Sequence, residues 1–329
     1  MGTLSTSYMG LKLDNPIIVG SSRLTSQLDG IRKSEDAGAG AVVLKSLFEE
    51  QVEHDATAMI EGYDEFADHA DAFAFFANSS KDYYIDTYLE LVEQARKAVG
   101  IPVIASVNCI HPGSWLEYAD RFQKVGADAL ELNMFIMPSQ VAEGSHEIEQ
   151  RYIDLIRRLK SRISIPLAVK IGYHFSGMAN FLSQLDKDLQ VAGMVLFNRY
   201  YKTDINIEAM ELKAGKIISV EEESSLPLQW TALMSGKLDA DICASTGIHS
   251  GDTLIKMLLA GAASVQICSA LLTSGFSVIG QMKQRLSDWM DAKEFGTIDD
   301  FRGSLARDRI EAPEIWERSQ YVKAICGIS

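Results

Sequence analysis

Short runs of β-branched and aliphatic residues recur along this chain, and each is followed by a segment of helical length whose apolar residues return every three or four positions. Eight such runs are readable: Pro16–Val19, Ala41–Ser46, Pro102–Asn108, Ala129–Met134, Pro166–Gly172, Gly193–Asn198, Asp241–Thr246 and Ser264–Ser269. Between them lie YIDTYLELVEQARKAVG, SWLEYADRFQKVG and SHEIEQRYIDLIRRLKSRI, whose polar residues gather on the opposite helical face. Strand and helix alternating in this way predict a parallel sheet with crossover helices, and eight alternations predict closure into a TIM (β/α)8 barrel. The competing architecture is an open doubly wound sheet. Its mark is a glycine-rich phosphate turn after an early strand, and the GSSR that follows the first run lacks the GxGxxG pattern.

Two connections exceed simple turns: one at about 47–81, the other at about 199–225. Both follow even-numbered strands on the face where barrels carry their chemistry, and loops of that length are commonly lids or binding loops. With no repeat beyond the β/α alternation, no low-complexity tract and no linker, residues 1–329 are expected to form a single barrel domain.

Composition narrows the function classes. The formal net charge is −14 and no run of Lys or Arg stands out, which argues against a nucleic-acid surface. No apolar stretch approaches the roughly 18 residues of a membrane span. The opening MGTLSTSYMGLKL lacks the charged and apolar regions of a signal peptide, so a cytoplasmic location is expected. Cys109, Cys243, Cys268 and Cys326 are scattered without CxxC spacing, and neither a metal site nor a disulfide framework is expected of them.

In a barrel the reactive groups come from the C-terminal ends of the strands. Here VVLK ends in Lys45 with Ser46 beyond it, VIASVN in Asn108 followed by Cys109, ALELN in Asn133, LAVK in Lys170 and MVLFN in Asn198. The last two strands finish in ASTGIHSG and ICSA, where small residues let backbone N–H groups approach an anion and a helix starts near Ser250. An ordinary turn capped by Ser250 reads the same way when this segment is taken alone. A ligand with its phosphate at strands seven and eight and a polar body reaching Lys170, Asn133, Asn108 and Lys45 suits flavin mononucleotide (FMN). The negative charge of the reduced ring near N1 and C2 calls for a cation such as Lys170.

These segments, spread over nearly the whole chain, resemble the dihydroorotate dehydrogenase family of FMN-dependent barrels. NPIIVGSSRLT, GAGAVVLKS, ASVN, ELN, LAVKIG, LFN and STGIHSGDTLIKMLLAGAASVQICSAL carry the resemblance in order. It implies an oxidoreductase of pyrimidine biosynthesis, resembling the class 1 enzymes, that oxidises dihydroorotate or a related dihydropyrimidine or enone at a CH–CH bond by hydride transfer to flavin N5. It implies FMN contacts from Gly20, Ser21, Lys45, Ser46, Asn108, Asn133, Lys170, Asn198, Gly247, Cys268 and Ser269, with Lys45, Asn133 and Asn198 meeting the substrate and Lys45, the catalytic active-site lysine, close to the reacting carbons with Asn133. It further implies a homodimer, an electron-transfer partner that a single chain leaves unidentified and, lacking an N-terminal membrane-binding extension, no quinone-linked membrane attachment.

The chain departs from the family's pattern in three places. The N-x-S-C/S-P-N loop that carries the catalytic base is replaced by NMFIMPSQ, with Ile136 at the base position, and an isoleucine cannot take a proton. The N-P-x-P-R substrate segment is missing from residues 47–80. Where the family has a glycine pair after strand six, the nearest residues are Ser224 and Ser225. Replacement bases on the active-face loops are Cys109 and His111, ranked first because they follow Asn108 directly, then His174, His54 and His69. Two other readings stay open: a flavin-binding protein of the same fold with little turnover, and a flavin-free barrel lyase or isomerase that uses Lys45 or Lys170 as a Schiff-base amine.

Overall fold

A computed structural model describes residues 2–48, 70–109, 115–199, 203–317 and 319–326. Eight parallel strands form its centre: β1 (Ile17–Val19), β2 (Ala41–Val43), β3 (Val103–Asn108), β4 (Ala129–Asn133), β5 (Leu167–Ile171), β6 (Gly193–Leu196), β7 (Asp241–Ser245) and β8 (Ser264–Ile267). Each pairs with the next, and β8 returns to β1 through Val265 opposite Ile17, so the sheet has no open edge. The predicted (β/α)8 barrel is thus the observed one.

Helices α1 (Leu28–Asp36), α2 (Ala70–Ala98), α3 (Trp115–Lys124), α4 (Ser145–Lys160), α5 (Met178–Lys187), α6 (Ser225–Met234), α7 (Gly251–Ala260) and the short α8 (Ser269–Ser274) follow the strands in turn, with α9 (Ser277–Ala292) behind them. Their apolar stripes cover the outward side chains of the strands, such as Val42, Leu132, Val169 and Met194. The alternate positions, Ile18, Val43, Ile104, Ala129, Ala168, Val195 and Cys243, fill the barrel interior. That division is the period-two alternation of a strand, applied to a sheet covered on both faces.

An antiparallel hairpin, Thr6–Tyr8 with Leu11–Leu13, plugs the N-terminal end of the barrel and turns through Met9 and Gly10, both at positive φ. Tyr8, Met9 and Leu13 join the interior cluster, and the Met9 N–H donates to Asp241 Oδ2 at 2.7 Å. The plug explains why β6 opens on glycine: a Cβ on Gly193 would stand 2.8 Å from both the Tyr8 hydroxyl and Met9 Cγ. With the bottom filled, the open end is the C-terminal mouth.

Helix α2 begins at Ala70, so it claims about 12 residues of the first long connection. ADAFAFFANSSK contains neither Pro nor Gly to stop it. The second connection contains its own hairpin, Thr203–Asn206 with Glu211–Ala214, and a 3₁₀ turn at Glu221–Ser224. Among the described residues no helix is long and apolar enough to cross a membrane.

Candidate active site

Strand register decides which polar side chains enter the barrel. Asn108, Asn133 and Lys170 are successive cross-strand neighbours at the ends of β3, β4 and β5. One step deeper, Ser106, Glu131 and Gln266 are buried on the same interior face. Lys170 Nζ donates to Gln266 Oε1 at 2.8 Å, and Gln266 Nε2 donates to Glu131 Oε2. The Lys170 ammonium stands 3.8 Å from Glu131 Oε1, too far for a hydrogen bond but close enough for charge pairing. A chain of hydroxyls closes the other side: Ser21 Oγ to Ser46 Oγ at 3.0 Å, and Ser46 Oγ to Ser106 Oγ at 2.7 Å.

Above this floor, at β7 and β8, opens a cavity of about 110 Å³ lined by Ser21, Lys170, Asn198, Gly247, Cys268 and Ser269 with Arg199, Ser219, Ser245 and Gln266. Thr246 and Gly247 both turn at positive φ, and the Thr246 hydroxyl donates to the Phe197 carbonyl at 3.0 Å. Gly247 is required there because a Cβ would overlap the backbone N of Ser224. The Cys268 thiol donates to the carbonyls of Gly20 and Ser21 at 3.3 and 3.4 Å, and burial pushes its pKa up. The Ser219 N–H donates to Ser269 Oγ at 3.0 Å, while the Ser219 hydroxyl lies 3.0 Å from His249 Nε2.

The N-terminus of α7 is met by a carboxylate of the chain itself. Glu221 accepts from the Thr253 and Ser250 hydroxyls, which hold its carboxyl below the ordinary glutamate range. Such a carboxylate is where the helix dipole favours a negative charge. Ser219, Gly247, Ile248 and Ser269 are left as the residues around the small-residue turns of the cavity.

A second cleft of about 450 Å³ shares Asn198, Arg199 and Thr246 with the first and is walled by Met137, Tyr173, His174, Phe197, Leu226 and Pro227. Asn198 Nδ2 donates to Asn133 Oδ1 at 2.6 Å at its inner edge, joining β4 to the end of β6. His174 stacks on Tyr173 with ring centroids 4.3 Å apart. Arg199 is anchored rather than free: its Nε donates to Glu223 Oε1 at 3.0 Å and its guanidinium to the carbonyls of Lys216 and Ile217.

The candidates from the sequence divide accordingly. Ser21, Lys170, Asn198, Gly247, Cys268 and Ser269 line one cavity, and Asn133 is bonded to Asn198. Lys45 and Ser46 line a separate cleft between α1 and α2 with Tyr84, Tyr88 and Gln94. Cys109 is buried in the apolar cluster beneath the helices, and Ile136 is buried beside Ile148 and Tyr152. His111, His54 and His69 lie outside the described residues. Glu131, Gln266, Arg199 and Ser219 escaped the sequence reading. A signal for the first two was present, since Glu131 stands two residues before Asn133, and Gln266 interrupts the apolar strand SVQI.

A closed barrel with its ammonium, amides and small-residue turns gathered at the C-terminal mouth has the layout of a barrel enzyme. The chain belongs to the dihydroorotate dehydrogenase family: residues 3–290 match the family profile described as "Dihydroorotate dehydrogenase". It is 27% identical over 316 residues to the "Dihydroorotate dehydrogenase B (NAD(+)), catalytic subunit" of Thermoplasma acidophilum, covering 93% of this chain and all of that protein. The protein of the same description from Methanocaldococcus jannaschii is 24% identical over 84% of this chain and 89% of its own length. The "NAD-dependent dihydropyrimidine dehydrogenase subunit PreA" of Escherichia coli K12 is 23% identical over 97% of this chain and 80% of its own. The family is one of oxidoreductases, and its members are flavoproteins that typically carry FMN.

Proposed function

We propose that this chain is an FMN-dependent oxidoreductase that acts on a CH–CH bond beside a carbonyl in a small ring, with dihydroorotate or a related dihydropyrimidine as substrate. The observation that carries this reading is the meeting of three features at one mouth: a buried ammonium, an asparagine pair and a small-residue turn. The donor set fits FMN. Among the described residues Lys170 Nζ makes one hydrogen bond, to Gln266, and so keeps N–H groups for an anionic ring edge. Ser219, Ser269 and the turn at Gly247 would hold the phosphate. When bound, FMN would supply the N5 atom that accepts hydride.

The chain's own residues do the rest. The Asn133–Asn198 pair presents amide donors and acceptors to ring carbonyl and N–H groups. Tyr173, Phe197, Met137, Leu226 and Pro227 give the second cleft apolar walls suited to a flat ring. Removing a proton from the substrate needs a base, and His174 is the histidine that lines that cleft, where the carboxylate of Glu223 is held by Arg199, whereas Ile136 and Cys109 are turned into the core. We therefore assign proton removal to His174. The similar archaeal and bacterial proteins are named as subunits, in keeping with an electron-transfer partner for this chain as well.

The test is the visible spectrum of the purified protein followed by anaerobic titration with dihydroorotate and dihydropyrimidines. A flavin band that bleaches supports the assignment. A yellow protein that none of them bleaches favours a flavin-binding role without turnover, and a colourless protein that takes up no FMN overturns the reading.

A further inference from the structure

Glu131 is 1% exposed, Gln266 3% and Lys170 7%, so a carboxylate, an amide and an ammonium share the dry interior of the barrel. A buried carboxylate and ammonium ordinarily close into direct contact, because each needs the other's hydrogen bonds to offset its desolvation. Here they do not. The Gln266 amide is wedged between them, its carbonyl toward Lys170 and its NH₂ toward Glu131, and Glu131 Oε1 has no hydrogen-bond partner among the described residues. The 3.8 Å gap to Oε1 keeps the ammonium from spending its remaining N–H groups on the carboxylate. It also leaves a negative charge directly behind the cation that lines the cavity. The Tyr8 hydroxyl of the N-terminal plug is likewise buried without a hydrogen-bond partner among the described residues, so it does not bond to Glu131 or Lys170.

We propose that Gln266 and Glu131 are positioning residues that act through Lys170: Gln266 holds the ammonium toward the mouth, and Glu131 moderates its charge, so that together they set the electron affinity of a flavin bound there. The proposal rests on the FMN reading above. Glu131 lies behind the cavity wall, and Gln266, although it lines the cavity, is assigned its effect through Lys170. Their effect is carried by where Lys170 stands and how much of its charge is left uncompensated. A reduced flavin, negative near N1 and C2, is stabilised by the net positive potential at this point.

The test is the midpoint potential of FMN bound to the full chain, measured by reductive titration against a dye of known potential. Glu131→Gln removes the negative charge and is expected to raise the potential above wild type. Gln266→Met has nearly the same volume but removes both hydrogen bonds by which the amide holds Lys170 and Glu131. Lys170 is then expected to close onto Glu131 Oε1, lowering the potential and weakening FMN retention. In a Lys170→Met background the Glu131→Gln shift is expected to shrink. The two single variants shift the potential in opposite directions, so either one that folds carries the test alone. Flavin-loaded variants with the wild-type potential overturn the proposal, as does a Glu131→Gln shift undiminished without Lys170. A wild-type protein that takes up no FMN overturns the functional reading instead, which keeps the two failures apart.

Discussion

Replacing Gly247 by alanine is expected to damage both the fold and the cofactor end of the site. The residue turns at φ +74, where an L side chain costs about 1 kcal/mol more than glycine. Its new Cβ would also lie 2.8 Å from the carbonyl carbon of Glu223 and from Ser224 Cα, and closer still to the Ser224 N. All three obstacles are backbone atoms, so no rotamer change relieves the contact; the turn and the start of α6 must separate. Forced overpacking of this kind costs about 1–3 kcal/mol. The sum, about 2–4 kcal/mol, corresponds to a fall in Tm of roughly 3–6 °C for a chain of this size. Because the same turn carries Thr246 and Ile248 into the cavity, FMN retention through gel filtration should fall in parallel. Differential scanning fluorimetry with and without added FMN measures both effects. A variant that melts within a degree of wild type and keeps its flavin would refute the claim that this turn is held by close backbone packing.

Asn198→Ala should leave Asn133 Oδ1 without its 2.6 Å partner, costing about 1–3 kcal/mol by denaturant melt, and should raise KM for the ring substrate more than it lowers flavin content. For Glu221 the folded pKa lies below the ordinary glutamate value, so its contribution is fully present above about pH 4.3 and is lost as pH falls through the depressed value. Being exposed, the residue should contribute less than about 1 kcal/mol, and the Tm gap between wild type and Glu221→Gln should close as the pH is lowered past that point. Burial raises the Cys243 thiol to about 12, so at pH 8 thiol-specific alkylation should label exposed Cys326 quickly and Cys243 only on unfolding. His174→Gln should abolish bleaching by substrate while leaving the oxidised flavin spectrum in place.

How much of this was legible beforehand depends on how local each feature is. Alternation with a period of two or of 3.6 belongs to consecutive residues, so the strands, most of the helices and the closed barrel could be read directly from the sequence. Asn108, Asn133 and Lys170, polar residues at or near the ends of three apolar runs, pointed to the mouth for the same reason. The sequence pattern predicts α2 only from Tyr84, because the alanine-rich stretch before it has weak amphipathic contrast.

Partners distant in sequence were another matter. Glu131 and Gln266 are 135 residues apart, Asn133 and Asn198 are 65, and the Glu221 carboxylate crosses 32 residues to Thr253. Only register and barrel closure bring such groups together. For the same reason Lys45, a strand-end lysine like Lys170, lines a different cleft: Lys170 lies on the inner face of β5, whereas Lys45 follows the last paired residue of β2. The sequence by itself determined which elements form and at which end of the barrel chemistry is possible. The tertiary structure decided which polar groups meet there, because a side chain's neighbours across a closed sheet follow from stagger and radius, and neither is written in any short stretch of chain.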